Sequence, residues 1–164
     1  MDTKLKADIA ESAVITELLK REFSVLHPIG DRLPYDVAID LNGKLLRIQV
    51  KSAWFNTQAN AYCIDVRRTK TNRRCMLRER YKETDFDFAI LFIEPLHVFY
   101  VMPVNVFLGF TSTVTLVEKI KRQRKPISAD YRERWDLLSD GLLNRKRLMD
   151  NLPNSVKPKV ERPR

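Results

Sequence analysis

Glycine is scarce in this chain, with four residues in 164. No glycine-rich loop is available to cradle a phosphate, and no nucleotide-binding motif built on one occurs. Cysteine is scarcer still. Cys63 and Cys75 stand alone, and their spacing fits neither a C-x-x-C pair nor a zinc site. Nothing in the sequence points to a structural zinc, and both thiols are expected to be reduced in a cytoplasmic protein. No apolar run approaches the ~20 residues that span a bilayer. The amino terminus mixes acids with lysines where a signal peptide would have an apolar core, so no membrane partner is expected. Internal repeats are also absent. Acid is in deficit: 30 Lys and Arg face 21 Asp and Glu, a formal charge of +9. That balance attracts polyanions and speeds encounter with them without fixing a sequence preference. At 164 residues the chain can bury roughly 70% of its unfolded surface as one domain.

Against these absences stands one stretch whose geometry can be computed. Tyr35 to Leu41 alternates apolar and polar residues, as does Arg47 to Ala53, with Asn42-Gly43 between them. Asn-Gly is the preferred two-residue type I′ hairpin loop, because both positions tolerate positive φ. With that turn Leu41 pairs with Lys44, and Asp36 falls opposite Gln49. Residues opposite each other share a face, with Cβ atoms about 4.5–5.5 Å apart. Lys51 follows Gln49 by two residues and points the same way. One face thus gathers Asp36, Gln49 and Lys51. The same three residues also suit the solvated face of an ordinary antiparallel hairpin.

Residues Thr3 to Phe23 carry Leu5, Ile9, Val14, Ile15, Leu18 and Leu19 at helical spacing. On the helical wheel Glu11 falls between Leu18 and Ile15, inside the apolar arc. A carboxylate there is costly to bury unless paired or bound to a metal. The alternative is a glutamate at the arc's edge that reaches water or a lysine. Glu11, Asp36 and Lys51 together suit a hard cation such as Mg²⁺, which prefers oxygen ligands and keeps several waters. Such a site polarises a phosphate oxygen and acidifies a water, while Lys51 holds that water or offsets developing charge. This is chemistry for cleaving a phosphodiester.

At these residues the sequence resembles a known family. Pro34-Tyr35-Asp36 followed by Gln49-Val50-Lys51 looks like the core of the PD-(D/E)XK nuclease superfamily, with Glu11 as its helix-borne acid. The wider order resembles homing endonucleases of this fold encoded in cyanobacterial group I introns of transfer-RNA genes. It runs from the helix through Gly30-Asp31-Arg32-Leu33-Pro34-Tyr35-Asp36 and Arg47-Ile48-Gln49-Val50-Lys51-Ser52-Ala53 to Val98-Phe99-Tyr100-Val101-Met102-Pro103-Val104. The resemblance implies an α/β restriction-endonuclease-like core, a central mixed β-sheet flanked by helices. It implies a site-specific, Mg²⁺-dependent double-strand DNA endonuclease in which Mn²⁺ can substitute. Glu11 and Asp36 would hold the metal, with Gln49 and Lys51 completing the catalytic set. One departure stands out: the superfamily usually has Asp or Glu at the position of Gln49, and the homing branch is similar in tolerating Gln. Alternatives are a Holliday-junction resolvase-like nuclease with the same chemistry, or a non-catalytic DNA-binding module on a degenerate nuclease fold.

The positive charge is concentrated. Arg67, Arg68, Lys70, Arg73, Arg74, Arg78, Arg80 and Lys82 are opposed within their span only by Glu79. Asn72 interleaves, and a loop with Asn56, Gln58 and Asn60 is expected between the Lys51 strand and a third strand near Ala61 to Val66. These types suit phosphates and base edges. Asn56, Gln58, Asn60, Arg67, Arg68, Lys70, Asn72, Arg73 and Arg74 are therefore the candidate contacts to double-stranded DNA. Two strands are expected at Asp85 to Phe92 and His97 to Pro103, a short helix near Val104 to Phe107, and a strand over Val114 to Ile120 that leads into a basic run ending at Lys125. Helical spacing from Asp130 to Asp150, with Ser128 as cap, predicts a carboxy-terminal helix. His27 and His97 are read as structural or solvated. The expected organisation is one nuclease domain over residues 1–150 and a disordered basic tail over 151–164. One chain supplies one site, so cutting two strands predicts a homo-oligomer, a dimer or tetramer, on a near-palindromic target.

Overall fold

A computed structural model of the chain describes residues 2–30, 32–72, 75–118 and 126–139, with backbone alone over 69–72 and 75–77. The chain divides into two compact units, residues 1–134 and 135–164. Of the second, residues 136–139 are helical.

The first unit begins with helix α1 (Thr3–Lys20), capped by the Asp2 carboxylate, which accepts from the Lys4 N–H at 3.2 Å. It buries Ala10, Val14 and Leu18, a stripe at four-residue intervals that lies along one side of the helix. Truncating Leu18 to alanine there would cost about 2–5 kcal/mol. The helix ends before the expected Phe23, because Glu22 turns left-handed at φ 62° and the Phe23 N–H returns to the Leu18 carbonyl. Leu5 and Leu19, expected on the buried arc, are 49% and 56% exposed. Glu11 accordingly sits beside the buried stripe and not within it.

Strands β1 (Ser24–Leu26), β2 (Val37–Leu41) and β3 (Lys44–Ser52) follow. After them come β4 (Trp54–Asn56), β5 (Ala61–Asp65), β6 (Arg67–Asn72) and β7 (Cys75–Arg80). The rest of the unit holds β8 (Phe88–Ile93), β9 (Val98–Pro103), helix α2 (Val104–Leu108) and β10 (Thr113–Leu116). The central sheet is mixed, in the order β1-β2-β3-β8-β9, with β3 and β8 parallel. Strand β8 reads Phe-Ala-Ile-Leu-Phe-Ile and is buried throughout, as a strand covered on both faces requires. Helix α1 packs against β3 and β8. A cluster that includes Ile64, Phe86, Leu91, Tyr100, Phe107 and Val114 joins the sheet to β5, α2 and β10. The parallel pairing is pinned at its start by buried Asp87, which accepts from the Arg47 N–H at 2.9 Å and pairs with its Nε at 3.1 Å.

The β2–β3 hairpin has the computed register. Val37 faces Ile48 and Leu41 faces Lys44, around Asn42 at φ 56° and Gly43 at φ 81°. The Asp40 carboxylate accepts from the Gly43 N–H at 2.7 Å.

Three expectations are corrected. The segment after Lys51 is no open loop: β4 pairs antiparallel with β5, in a separate sheet ordered β10-β5-β4. Asn56 drives this turn, its side-chain oxygen accepting from the N–H groups of Gln58 and Ala59 at 3.0 and 3.1 Å. The third expected strand, β5, lies in this second sheet. Ser128 is not a helix cap. It lies in a 3₁₀ turn, Ile127–Tyr131, and its hydroxyl donates to the Thr115 carbonyl at 2.8 Å. No helix starts at Tyr131, since Glu133 is left-handed at φ 54° and its N–H donates to the Phe99 carbonyl. The basic run over 119–125, the helix beyond 139 and the tail over 151–164 lie outside the described residues.

Candidate active site

Helix α1, the loop after β1, the start of β2, and strand β3 converge on a cleft of about 920 Å³. Glu11, His27, Asp36, Gln49, Lys51, Arg67, Arg68 and Tyr81 are among the residues that line it. The four expected catalytic residues are thus together. Asp36 stands one residue ahead of β2, its N–H donating to the Ile48 carbonyl at 3.0 Å. Regular pairing ends at Val37–Ile48; this bond carries Asp36 just past that end, where its side chain meets that of Gln49.

Asp36 Oδ2 accepts from the Val50 N–H at 2.7 Å and from the Gln49 amide. Burial pushes its proton affinity up, although those two bonds and the Lys51 and Arg68 charges pull the other way. Gln49 is 7% exposed. Its Nε2 donates both to Asp36 and to the Val50 carbonyl, the latter at 3.2 Å. A carboxylate can only accept, so the amide nitrogen must be the atom facing Asp36. Oε1 remains as the amide's acceptor, available to a cation or a water.

Lys51 extends from the same face. Its ammonium makes a long bond, 3.4 Å, to the Arg67 carbonyl and lies 5.0 Å from the centroid of the Tyr81 ring. Burial lowers its pKa, and Asp36 and Asp65 oppose that fall. Glu11 reaches the cleft from α1. Burial raises its pKa first, and the negative charge of Asp36 raises it further. The two carboxylates therefore feel each other across a partly dehydrated space.

Among the described residues no group of three or more His, Cys, Asp or Glu is placed to hold a metal. The oxygen donors the cleft could offer are the Glu11 and Asp36 carboxylates and the Gln49 carboxamide oxygen. Burial raises the pKa of both carboxylates, and a cation beside them would oppose that rise. An all-oxygen set of this kind fits a hard divalent ion.

Two cleft residues escaped the sequence reading. His27, read as structural or solvated, brings Nε2 to 3.7 Å from the Glu11 carboxylate. Tyr81 lies beneath Lys51. No periodicity announces either residue, since each meets its partner only through the fold. His97 is 65% exposed at the side chain and packs its ring against Phe92 and Phe99, outside the cleft lining.

The expected DNA contacts divide. Arg67 and Arg68 line the cleft, and the Arg67 Nε is buried with no hydrogen-bond partner. Asn56, Gln58 and Asn60 form the β4–β5 turn and are not among the lining residues. Lys70 and Asn72 lie on β6, which pairs with β7 from Arg67–Arg80 to Asn72–Cys75. Arg73 and Arg74 lie outside the described residues.

A model of the PD-(D/E)XK endonuclease family matches residues 1–138. The solved structure of a bacterial homing endonuclease, I-Ssp6803I, is similar with a TM-score of 0.82 and 49% sequence identity. That match covers 89% of this chain and 99% of the other. No curated protein matches. Nucleases of the matched family are generally dependent on a divalent metal, in keeping with the oxygen donors of the cleft. By the family match and the structural likeness together, the chain belongs to the PD-(D/E)XK endonucleases and is a nuclease.

Proposed function

We propose that this DNA endonuclease is of the homing type and cuts both strands of a long, specific duplex site with Mg²⁺, for which Mn²⁺ can substitute. The observation that carries the reading is the convergence of Asp36, Gln49 and Lys51 with Glu11 on one cleft. The 49% identity to a bacterial homing endonuclease supports the specific activity.

Glu11 and Asp36 would hold the ion, with Gln49 Oε1 as a neutral third donor. When bound, the ion supplies Lewis-acid polarisation of the phosphate and acidifies a water. The chain's own residues do the rest. Gln49 fixes the Asp36 carboxylate through its amide nitrogen, so one rotamer of Asp36 is presented to the cleft. The Lys51 ammonium donates to a phosphate oxygen and offsets the charge that develops as the bond to phosphorus forms. Arg67 and Arg68, at the root of β6–β7, take flanking phosphates. Lys70, Asn72, Arg73 and Arg74 extend that contact along the DNA, and Asn56, Gln58 and Asn60 offer amides to base edges.

Each chain supplies one cleft, so double-strand cutting calls for a homo-oligomer, a dimer or tetramer, on a near-palindromic target. The nuclease domain is read as residues 1–150, with 151–164 as a basic tail, in a cytoplasmic protein. Among the described residues no helix is long and apolar enough to cross a membrane.

The test is digestion of a random-sequence duplex library and of branched DNA, with Mg²⁺, with Mn²⁺ and with EDTA, alongside Asp36→Asn. Metal-dependent cutting at one long sequence, lost in the variant, is the expected result. Cutting only at branches would replace it with a resolvase-like activity. Tight binding with no cutting would leave a DNA-binding module on a degenerate nuclease fold.

A further inference from the structure

We propose that Tyr81 is a positioning residue for cleavage, holding the Lys51 ammonium over its ring so that the lysine meets the scissile phosphate. The inference rests on the role given to Lys51 above and adds the device that sets its place.

Lysine carries its charge on a flexible four-carbon stem, so a strand position alone does not fix where the ammonium stands. Two groups bracket it here. The Arg67 carbonyl accepts its hydrogen bond at 3.4 Å, and the Tyr81 ring centroid lies 5.0 Å away, within the range of a cation–π attraction. Both belong to the root of one hairpin, because Arg67 pairs with Arg80 as the first rung of β6–β7 and Tyr81 follows at once. Tyr81 is itself immobilised. It is 7% exposed, meets Phe86 edge-on at 5.1 Å and 79°, and leans on Phe107 at 6.5 Å. Phe86 and Phe107 are fully buried and touch each other at 5.9 Å. The catalytic ammonium is thus located from the hydrophobic core through one aromatic face. The same hairpin root carries Arg67 and Arg68 into the cleft, so the groups that engage DNA and those that station the lysine are one piece of backbone.

The attraction depends on the ring and not on the hydroxyl, which gives the test its shape. Single-turnover cleavage at saturating enzyme is measured on plasmid DNA carrying a site selected from a random library. Tyr81→Phe, Tyr81→Leu and Lys51→Ala are compared with wild type, and affinity is measured separately in EDTA. Tyr81→Phe should cut at the wild-type rate. Tyr81→Leu should cut about tenfold more slowly with unchanged affinity, the scale of a desolvated cation–π contact. A full rate in Tyr81→Leu, with cleavage lost in Lys51→Ala, would overturn this inference alone. Cleavage that survives Lys51→Ala, or its absence in wild type, would overturn the reading of the lysine and this inference with it. Should Tyr81→Leu fail to fold, ¹³C-lysine-labelled wild-type protein decides the matter, with Lys51 assigned through Lys51→Arg. Its ε-methylene protons should be shifted upfield by the ring, and an ordinary lysine position would contradict the proposal.

Discussion

Under the proposed function two hairpins would divide the labour of this protein, and they differ in how they are built. The β2–β3 hairpin has one face sealed by Val37, Ile39, Leu46 and Ile48, all buried. A slip of one residue would bury its charges, so the register is fixed by the core as well as by the Asn42-Gly43 turn. In the β6–β7 hairpin Arg78, Glu79 and Arg80 are exposed, and the sequence offers no apolar alternation to set its pairing. The first hairpin holds a few chemical groups in rigid relation. The second presents charge at Arg78, Glu79 and Arg80, where a polyanion can approach. Precision of placement in the first comes from burial on one side; in the second the exposed side chains, 78–80, stand in solvent.

The comparison breaks most visibly at Lys51. Lys51→Ala should lower the cleavage rate at saturating DNA by about 10²–10³-fold, the usual cost of removing one electrostatic donor, with affinity unchanged in EDTA. A variant that binds poorly but cuts at full rate would assign the lysine to the binding surface instead.

Charge removal on the second hairpin should do the reverse. Lys70→Ala combined with Arg78→Ala should weaken DNA binding and flatten its salt dependence by about 0.9 in log–log slope for each phosphate no longer neutralised. Cleavage at saturating DNA should hold. An unchanged slope, measured by titration at several salt concentrations, would remove these two residues from the interface.

A smaller effect sharpens the structural half of the contrast. Gly43 sits at φ 81°, so Gly43→Ala should cost about 1–2 kcal/mol and lower the melting temperature by a few degrees. Cutting at low temperature should persist, because the buried face still sets the register. Loss of activity in a folded Gly43→Ala protein would mean that the turn, and not the core, aligns Asp36 with Gln49.

The smallest effect is electrostatic. Glu11 and Asp36 have raised pKa values, through burial first, so the folded state holds their protons more tightly than the unfolded chain. Without metal, stability is then greatest below the ordinary carboxylate pKa and falls as pH rises through the raised folded values. Glu11→Gln should therefore raise the melting temperature slightly at neutral pH in EDTA and leave it unchanged in acid. A lower melting temperature at neutral pH would show that the Glu11 carboxylate stabilises the empty site.

Much of the site was legible because a hairpin with one sealed face obeys arithmetic. The same register sum that pairs Leu41 with Lys44 puts Asp36 opposite Gln49 and Lys51 beyond it. The buried strand β8 was legible for a similar reason, as an unbroken apolar run. What failed were local patterns with two solutions. Trp54 and Phe55 precede a turn rich in Asn and Gln, so the segment reads as a loop. Its strand character comes from cross-strand partners, among them Tyr62, whose ring meets that of Phe55 at 5.2 Å. Tyr131 fits a helical wheel and Ser128 a helix cap, but the Ser128 hydroxyl is claimed by Thr115 and the Phe99 backbone by Glu133. Leu19 fits the apolar arc of α1, yet it stands largely in solvent. His27 and Tyr81 were beyond reach altogether, since their partners Glu11 and Lys51 are distant in sequence.

The central claim is that chemistry resides on β2–β3 and affinity on β6–β7. One paired measurement tests it: the dissociation constant in EDTA and the single-turnover cleavage rate in Mg²⁺, for Asp36→Asn beside Lys70→Ala/Arg78→Ala. Asp36→Asn should bind as the wild type does and fail to cut, while the hairpin variant should bind weakly and cut at full rate once saturated. Equal losses of affinity and rate in both proteins would contradict the division.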